Sequence, residues 1–190
     1  MSEPATLTPA GERILVTASD LFYREGIHAV GVEGIATTAG VTKKTLYDCF
    51  GSKDELVAAY LRARDARWRA WMTGFVDRHG ETAGDRALAS FDALADWMRR
   101  ENPRGCGFVN ALAELPSPDH PGRAVILEQK RWMLDYLTGL VEAAQLPQPH
   151  DLARSLLLLH EGATVADATG SVTAAVEQAK KVAAALITRP

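Results

Sequence analysis

Apolar residues in this chain recur at helical rather than strand spacing almost from end to end. Thr8-Pro9 opens a first helix, with Thr as cap and Pro where its missing amide costs nothing. Ile14, Leu15, Ala18, Leu21 and Phe22 form its apolar stripe, which ends at Gly26. Val32, Ile35, Ala36 and Ala39 then bury one side of a short helix that stops at Gly40, a residue able to take the left-handed backbone of a sharp exit. Val41 plugs the corner. Thr42 is a good cap for a second short helix over residues 43–49, whose Leu46, Cys49 and neighbouring Phe50 face inward. Ala36 stands four residues before Gly40, where a larger side chain would hold two steeply crossing helices apart. The stretch Ile35–Leu56 thus fits a helix-turn-helix followed by the start of another helix. Thr42, Lys43, Lys44 and Thr45 form its exposed leading turn, from which side chains reach base edges or phosphates in a major groove.

The remaining pattern is also all-α, about nine helices in total. Ser52 caps a long helix running to about Arg78, with Asp54 and Glu55 favoured in its first turn by the positive helix end. It carries Leu56, Val57, Tyr60, Leu61, Trp68, Trp71, Met72 and Phe75. Arg62, Arg64, Arg67 and Arg69 ring it and are expected to be solvated or to snorkel. Further helices are predicted over 83–101, 108–114, 123–144, 149–168 and 172–187, separated by Pro and Gly breaks. Residues 1–7 are expected to fray. No repeat or low-complexity tract appears. The last two helices carry Leu152, Leu156, Leu159, Gly162, Ala163 and Ala166, then Val172, Val176, Ala179, Val182, Ala183 and Leu186. Such stripes, rich in small residues, let two helices from each of two subunits close a four-helix bundle; the alternative is packing on each subunit's own core.

The motif residues resemble those of the TetR family of bacterial transcriptional regulators. The likeness begins at Arg13-Ile14-Leu15, Ala18, Leu21, Phe22 and Gly26, and continues through Ile35-Ala36, Ala39-Gly40-Val41, Thr45-Leu46-Tyr47 and Phe50. It closes on Ser52-Lys53 and Leu56, roughly the first third of the chain. Two positions depart from the pattern. Many members carry Thr or Ser before the first motif helix, where this chain has Val30 and Gly31, and relatives often have Gly where Lys44 stands. The resemblance implies a DNA-binding domain at residues 8–52, with Tyr47 and Lys53 as phosphate contacts that fix register. It implies an effector-binding and dimerisation domain at residues 53–190. It further implies a homodimer through the two C-terminal helices on a palindromic double-stranded DNA operator, acting as a repressor that a small-molecule effector releases. Within the body, Trp97, Phe108, Asn110, Glu114, Trp132, Tyr136 and His160 combine polar tips with bulky apolar groups, as effector sites do. Aromatic residues at helical spacing are more often plain core, and His160 is more often a satisfied core or interface histidine than a ligand contact.

Composition narrows the class. The 190 residues are 47% hydrophobic and 7% aromatic, enough for a real core in one or two domains. No apolar run approaches the ~20 residues that span a bilayer, and the N-terminus lacks the order of a signal peptide, so a cytoplasmic protein without a membrane partner is expected. Cys49 and Cys106 match no zinc spacing and are expected as free thiols, with no cofactor or metal. The five His are scattered, and no nucleophile elbow or phosphate-cradling loop appears, so no catalytic residues are assigned. Cys106, in a glycine-rich kink, is noted as a possible redox sensor. Net charge is −3, and in residues 1–61 Arg13, Arg24, Lys43, Lys44 and Lys53 face Glu3, Glu12, Asp20, Glu25, Glu33, Asp48, Asp54 and Glu55. A nucleic-acid binder usually shows a basic face. The acidic head and Gly31 therefore keep a second reading open, a helical ligand-binding or protein-interaction module that has lost DNA binding.

Overall fold

The structure is a computed structural model that describes residues 7–188. Among these it is all-helical, with nine helices: α1 Pro9–Glu25, α2 Val32–Thr38, α3 Lys43–Phe50, α4 Lys53–His79, α5 Ala83–Glu101, α6 Gly107–Glu114, α7 Pro121–Ala143, α8 Pro149–Ala168 and α9 Ala175–Ile187. The fraying expected at the N-terminus falls on residues 1–6, outside the described residues, and on Leu7, which lies just before the Thr8 cap. Thr8 Oγ1 accepts from the Gly11 amide at 3.1 Å, as the Thr-Pro pair predicts. The predicted helices match closely. α9 starts three residues later than expected, because Gly170 and Ala174 both take left-handed backbone and hold Val172 in the connecting turn.

The chain divides into two compact units. One contains the residues up to Arg64 together with Gly107–Ile126; the other contains Asp65–Cys106 and the residues from Leu127 onward. The first unit therefore holds α1, α2, α3, α6 and the leading ends of α4 and α7. Ile14, Ala18, Phe22, Ile35, Ala36, Leu46, Leu56 and Leu61 are buried in it, and so are Phe108, Ala111 and Leu115 from the later segment. Arg64 belongs here too and corrects the expectation of a solvated ring. It is buried, with its guanidinium 4.4 Å from the centre of the Tyr23 ring. It fits because Gly107 opens α6 without a side chain; a Cβ there would come within 2.6 Å of the Arg64 Nε.

The second unit is built on one apolar cluster. Trp68, Met72 and Val76 of α4 join Phe91, Leu94 and Trp97 of α5, Met133 and Leu137 of α7, Leu156 and Ala163 of α8, and Val176, Ala179 and Ala183 of α9. Helix α9 packs on α8 and α5. Capping reinforces the frame: Thr82 and Asp85 form a reciprocal capping box at the start of α5.

Candidate functional site

The turn between α2 and α3 is built by backbone hydrogen bonding that its sequence dictates. The Val41 amide donates to the Ala36 carbonyl at 3.0 Å and the Gly40 amide to Thr37 at 3.1 Å, with Gly40 at φ +66°. This is the six-to-one and five-to-two pairing of a Schellman end, which needs a left-handed residue where Gly40 stands. Thr42 then caps α3, its hydroxyl accepting from the Thr45 amide at 3.1 Å and lying 2.9 Å from the Thr45 hydroxyl. Leu46 is fully buried, whereas Cys49 and Phe50 are half-buried. The helix is thereby fixed by its inner face and presents its first turn outward.

Thr42, Lys43 and Lys44 are exposed and Thr45 is half-buried. Both lysines hold acidic neighbours: Lys43 Nζ is 3.0 Å from Glu33 on α2, and Lys44 Nζ is 2.7 Å from Asp48 one turn on. The hydrogen bond from Lys44 to Asp48, and then the charge of that carboxylate, raise the Lys44 pKa above its ordinary value. Such exposed pairs are screened by solvent and worth little net, so each ammonium stays available to another anion. Tyr47 is 46% exposed beside them. Lys53 is placed differently. Its Nζ donates to the Ile27 carbonyl at 2.7 Å and lies 6.0 Å from the Phe22 ring centre, which ties α4 to the loop after α1. Gly31 caps α2 without any side-chain hydrogen bond, and a Cβ at that position would meet nothing within 4 Å.

The seven residues singled out in the body separate by unit. Phe108, Asn110 and Glu114 sit on α6 with the first unit; Trp97, Trp132, Tyr136 and His160 sit in the second. Glu114 accepts from the His28 backbone amide at 2.8 Å, and its carboxylate occupies the space a Gly26 Cβ would need. Trp97 packs edge-on against Trp68 at 5.3 Å, and Trp132 stacks on Tyr136 at 5.2 Å. Burial, then the charge of Asp77, pushes the Tyr136 hydroxyl up to about 12, against an opposing effect from Arg86. His160 is buried 3.0 Å from Ser90 Oγ with its ring over Phe91. A cleft of about 440 Å³ opens between α5, α8 and α9, lined among others by Met98, Asn102, Asp167 and Glu177, and none of the seven lines it. Both thiols are free and half-buried; Cys106 Sγ is 3.9 Å from Lys130 Nζ, which itself pairs with Glu161 at 2.6 Å.

Helical spacing did not single out one polar set as functional. Oδ1 of Asp65, Nε1 of Trp68, Nε of Arg69 and Oε1 of Gln129 are buried without a hydrogen-bond partner. In the sequence these residues read as parts of an apolar face and a charged ring. Their burial is set by tertiary packing, which residue order does not show.

Comparison with known proteins agrees with this architecture. The family model described as bacterial regulatory proteins of the tetR family matches residues 14–60, the segment from α1 into α4. A TetR-family transcriptional regulator from Streptomyces coelicolor has a crystal structure 34% identical to this chain, covering 92% of this chain and 96% of that one, with a TM-score of 0.79. The reduced form of NemR from Escherichia coli superposes with a TM-score of 0.81 over 95% of this chain and 98% of its own, at 22% identity, a likeness of fold. The HTH-type transcriptional regulator YjdC of Escherichia coli is 24% identical over 151 residues, 80% of this chain and 79% of that protein. With its capped recognition helix, its Gly40 turn and a relative of that identity along nearly the whole length, the chain belongs to the TetR family of bacterial transcriptional regulators and is a regulator rather than an enzyme.

Proposed function

We propose that this regulator is a repressor that binds a palindromic operator as a homodimer in the cytoplasm and leaves it when a small molecule binds. The observation that carries the DNA reading is the first turn of α3, which projects Thr42, Lys43 and Lys44 from a helix held by Leu46 and the Thr42 cap. Thr45 and Tyr47 extend the same face, and Lys53 contributes by fixing the α1–α2 loop while offering its remaining N–H groups to a phosphate. Helix-turn-helix dimers read half-sites about 34 Å apart, which is why a second copy is part of the proposal. Its support is an apolar face left uncovered: Leu158 and Val165 on α8 and Val182 on α9 are exposed, and Gly162 between the first two allows close approach. Much of the stripe expected to meet the partner, including Leu156, Ala163, Val176, Ala179 and Ala183, is buried within the chain's own core.

A gel-shift titration with DNA flanking its own gene tests the reading. Lys43→Ala and Lys44→Ala are expected to weaken binding about tenfold each with helicity unchanged. Glu33→Gln with Asp48→Asn should tighten it, because both ammoniums are then released to phosphates. Affinity unchanged in all of these variants would remove the α3 turn from the interface. Absence of any shift with the unaltered protein would favour a helical binding module without DNA affinity, the reading to which the acidic head points.

A further inference from the structure

Each lysine at the leading turn of α3 stands beside a carboxylate. Lys43 Nζ donates to Glu33 Oε2 at 3.0 Å across the α2–α3 crossing, and Lys44 Nζ donates to Asp48 Oδ2 at 2.7 Å one turn along α3. An ammonium has three N–H donors, so each lysine keeps two for DNA. Glu33 and Asp48 make no other side-chain hydrogen bond among the described residues, so each keeps an oxygen that can accept. Lys53 is held differently, on the neutral Ile27 carbonyl at 2.7 Å, and that partner leaves its charge uncancelled.

These two arrangements suit different parts of a duplex. A phosphate is an anion, and a lysine that moves onto one either leaves its carboxylate or carries it up to the phosphate, where like charges repel. A base edge is uncharged. In the major groove a G·C pair presents guanine N7 and O6 as acceptors and cytosine N4–H as a donor. O6 and N4 lie about 2.9 Å apart, because they share a hydrogen bond of the base pair. A lysine–carboxylate pair 2.7 or 3.0 Å across matches that spacing. The ammonium donates to O6 and N7 while the carboxylate accepts from N4. On an A·T pair the acceptor beside the amino donor is thymine O4 alone, one acceptor fewer for the ammonium.

We infer that Glu33 and Asp48 are specificity-determining residues of the DNA-reading turn, which reserve Lys43 and Lys44 for the edges of G·C pairs and withhold them from the phosphates of unrelated sequence. The inference rests on the DNA reading proposed above and deepens it by naming the base pairs read and the residues that enforce the choice. The ion pairs need not be strong for this. A carboxylate accompanies each ammonium to the duplex, so random DNA meets two cations and two anions, whereas a G·C edge meets matched donors and acceptors. The acidic balance of the head then acts as a source of selectivity, because non-specific affinity grows with the number of phosphates neutralised.

Selection of a duplex pool with a randomised core on the full chain tests the inference, followed by titration of the selected duplex against a scrambled one of the same composition. The selected half-site is expected to carry G·C pairs whose replacement by A·T lowers affinity about tenfold each. Glu33→Gln with Asp48→Asn should raise affinity for the scrambled duplex about tenfold more than for the selected one. It should also steepen the log–log salt dependence on the scrambled duplex by about 1.8, as two further phosphates are engaged. Asp20→Asn with Glu25→Gln removes the same charge from α1, where Asp20 pairs with Arg24 at 2.8 Å, and should leave the ratio of the two affinities unchanged. All four side chains are exposed, so both variants should melt with the unaltered protein. An undiminished affinity ratio in the Glu33→Gln, Asp48→Asn variant overturns the inference. So does an equal fall in the α1 variant, which would make the effect one of bulk charge, and so does a selected site without G·C pairs. Failure of the DNA reading itself looks different, since the unaltered protein would then enrich no sequence and bind neither duplex.

Discussion

His160 shows what burial does to a titratable residue at the centre of the second unit. Ser90 donates its hydroxyl proton to the Ala87 carbonyl at 2.6 Å, so it must accept from His160, which fixes the neutral ring with its proton on Nε2. Burial, and to a smaller extent the charge of Lys130, pushes the His160 pKa down to about 3. An unfolded chain holds this histidine at about 6.5, so between these values the unfolded state binds the extra proton. Stability is therefore complete above about pH 6.5 and declines as pH falls toward 3, by up to about 1.4 kcal/mol per pH unit. His160→Gln, which keeps a polar group toward Ser90, should flatten urea-unfolding stability between pH 7 and pH 5. An identical slope in the variant would mean that the ring takes up its proton in the folded core without penalty.

At the scale of single helices, the ends rather than the middles distinguish this chain. Gly40 is demanded by its left-handed φ, and Thr8, Thr42 and Thr82 cap three helices through their own hydroxyls. Helix α2, like α8 and α9, has no such cap, because Gly31 leaves its first amides without a side-chain acceptor. Open space around that position admits a hydroxyl-bearing side chain. Gly31→Ser is expected to stabilise the chain by a few tenths of a kcal/mol in chemical denaturation, the margin by which Ser exceeds Gly at a cap. It should also tighten operator binding by adding a phosphate donor at a helix start. Lower stability would show that the backbone here is not free to serve as a cap.

For the molecule as a whole, the homodimer proposed above needs an apolar surface that a second copy could cover. Leu158 is 73% exposed, and together with Val165 and Val182 it marks a face that single-chain folding leaves wet. Isolated exposed apolar residues are normal, but several on two adjoining helices suit an isologous contact. Leu158→Glu should convert the protein to a monomer in light scattering while leaving its melting nearly unchanged, since the side chain packs on little of its own core. Operator affinity should fall with the dimer. A variant that remains dimeric would move the interface elsewhere.

Local rules made most of the fold legible: the Thr caps, the Gly40 exit and the helical apolar stripes each depend on residues within a turn or two of one another. The all-α architecture, the recognition helix and the family followed from them. Burial of particular polar atoms did not, because it depends on which helix faces which. Arg64 reads as a solvated cation until Gly107, far along the chain, provides the space that buries it. The small-residue stripes of α8 and α9 look the same whether they meet a partner or their own α5. Pairing of Lys44 with Asp48 is written in one helix, but that of Lys43 with Glu33 requires the crossing of α2 and α3. Likewise the burial of Asp65, Trp68 and Gln129 is decided only when the helices pack, since solvent access and hydrogen-bond satisfaction are properties of packed neighbours and not of residue order.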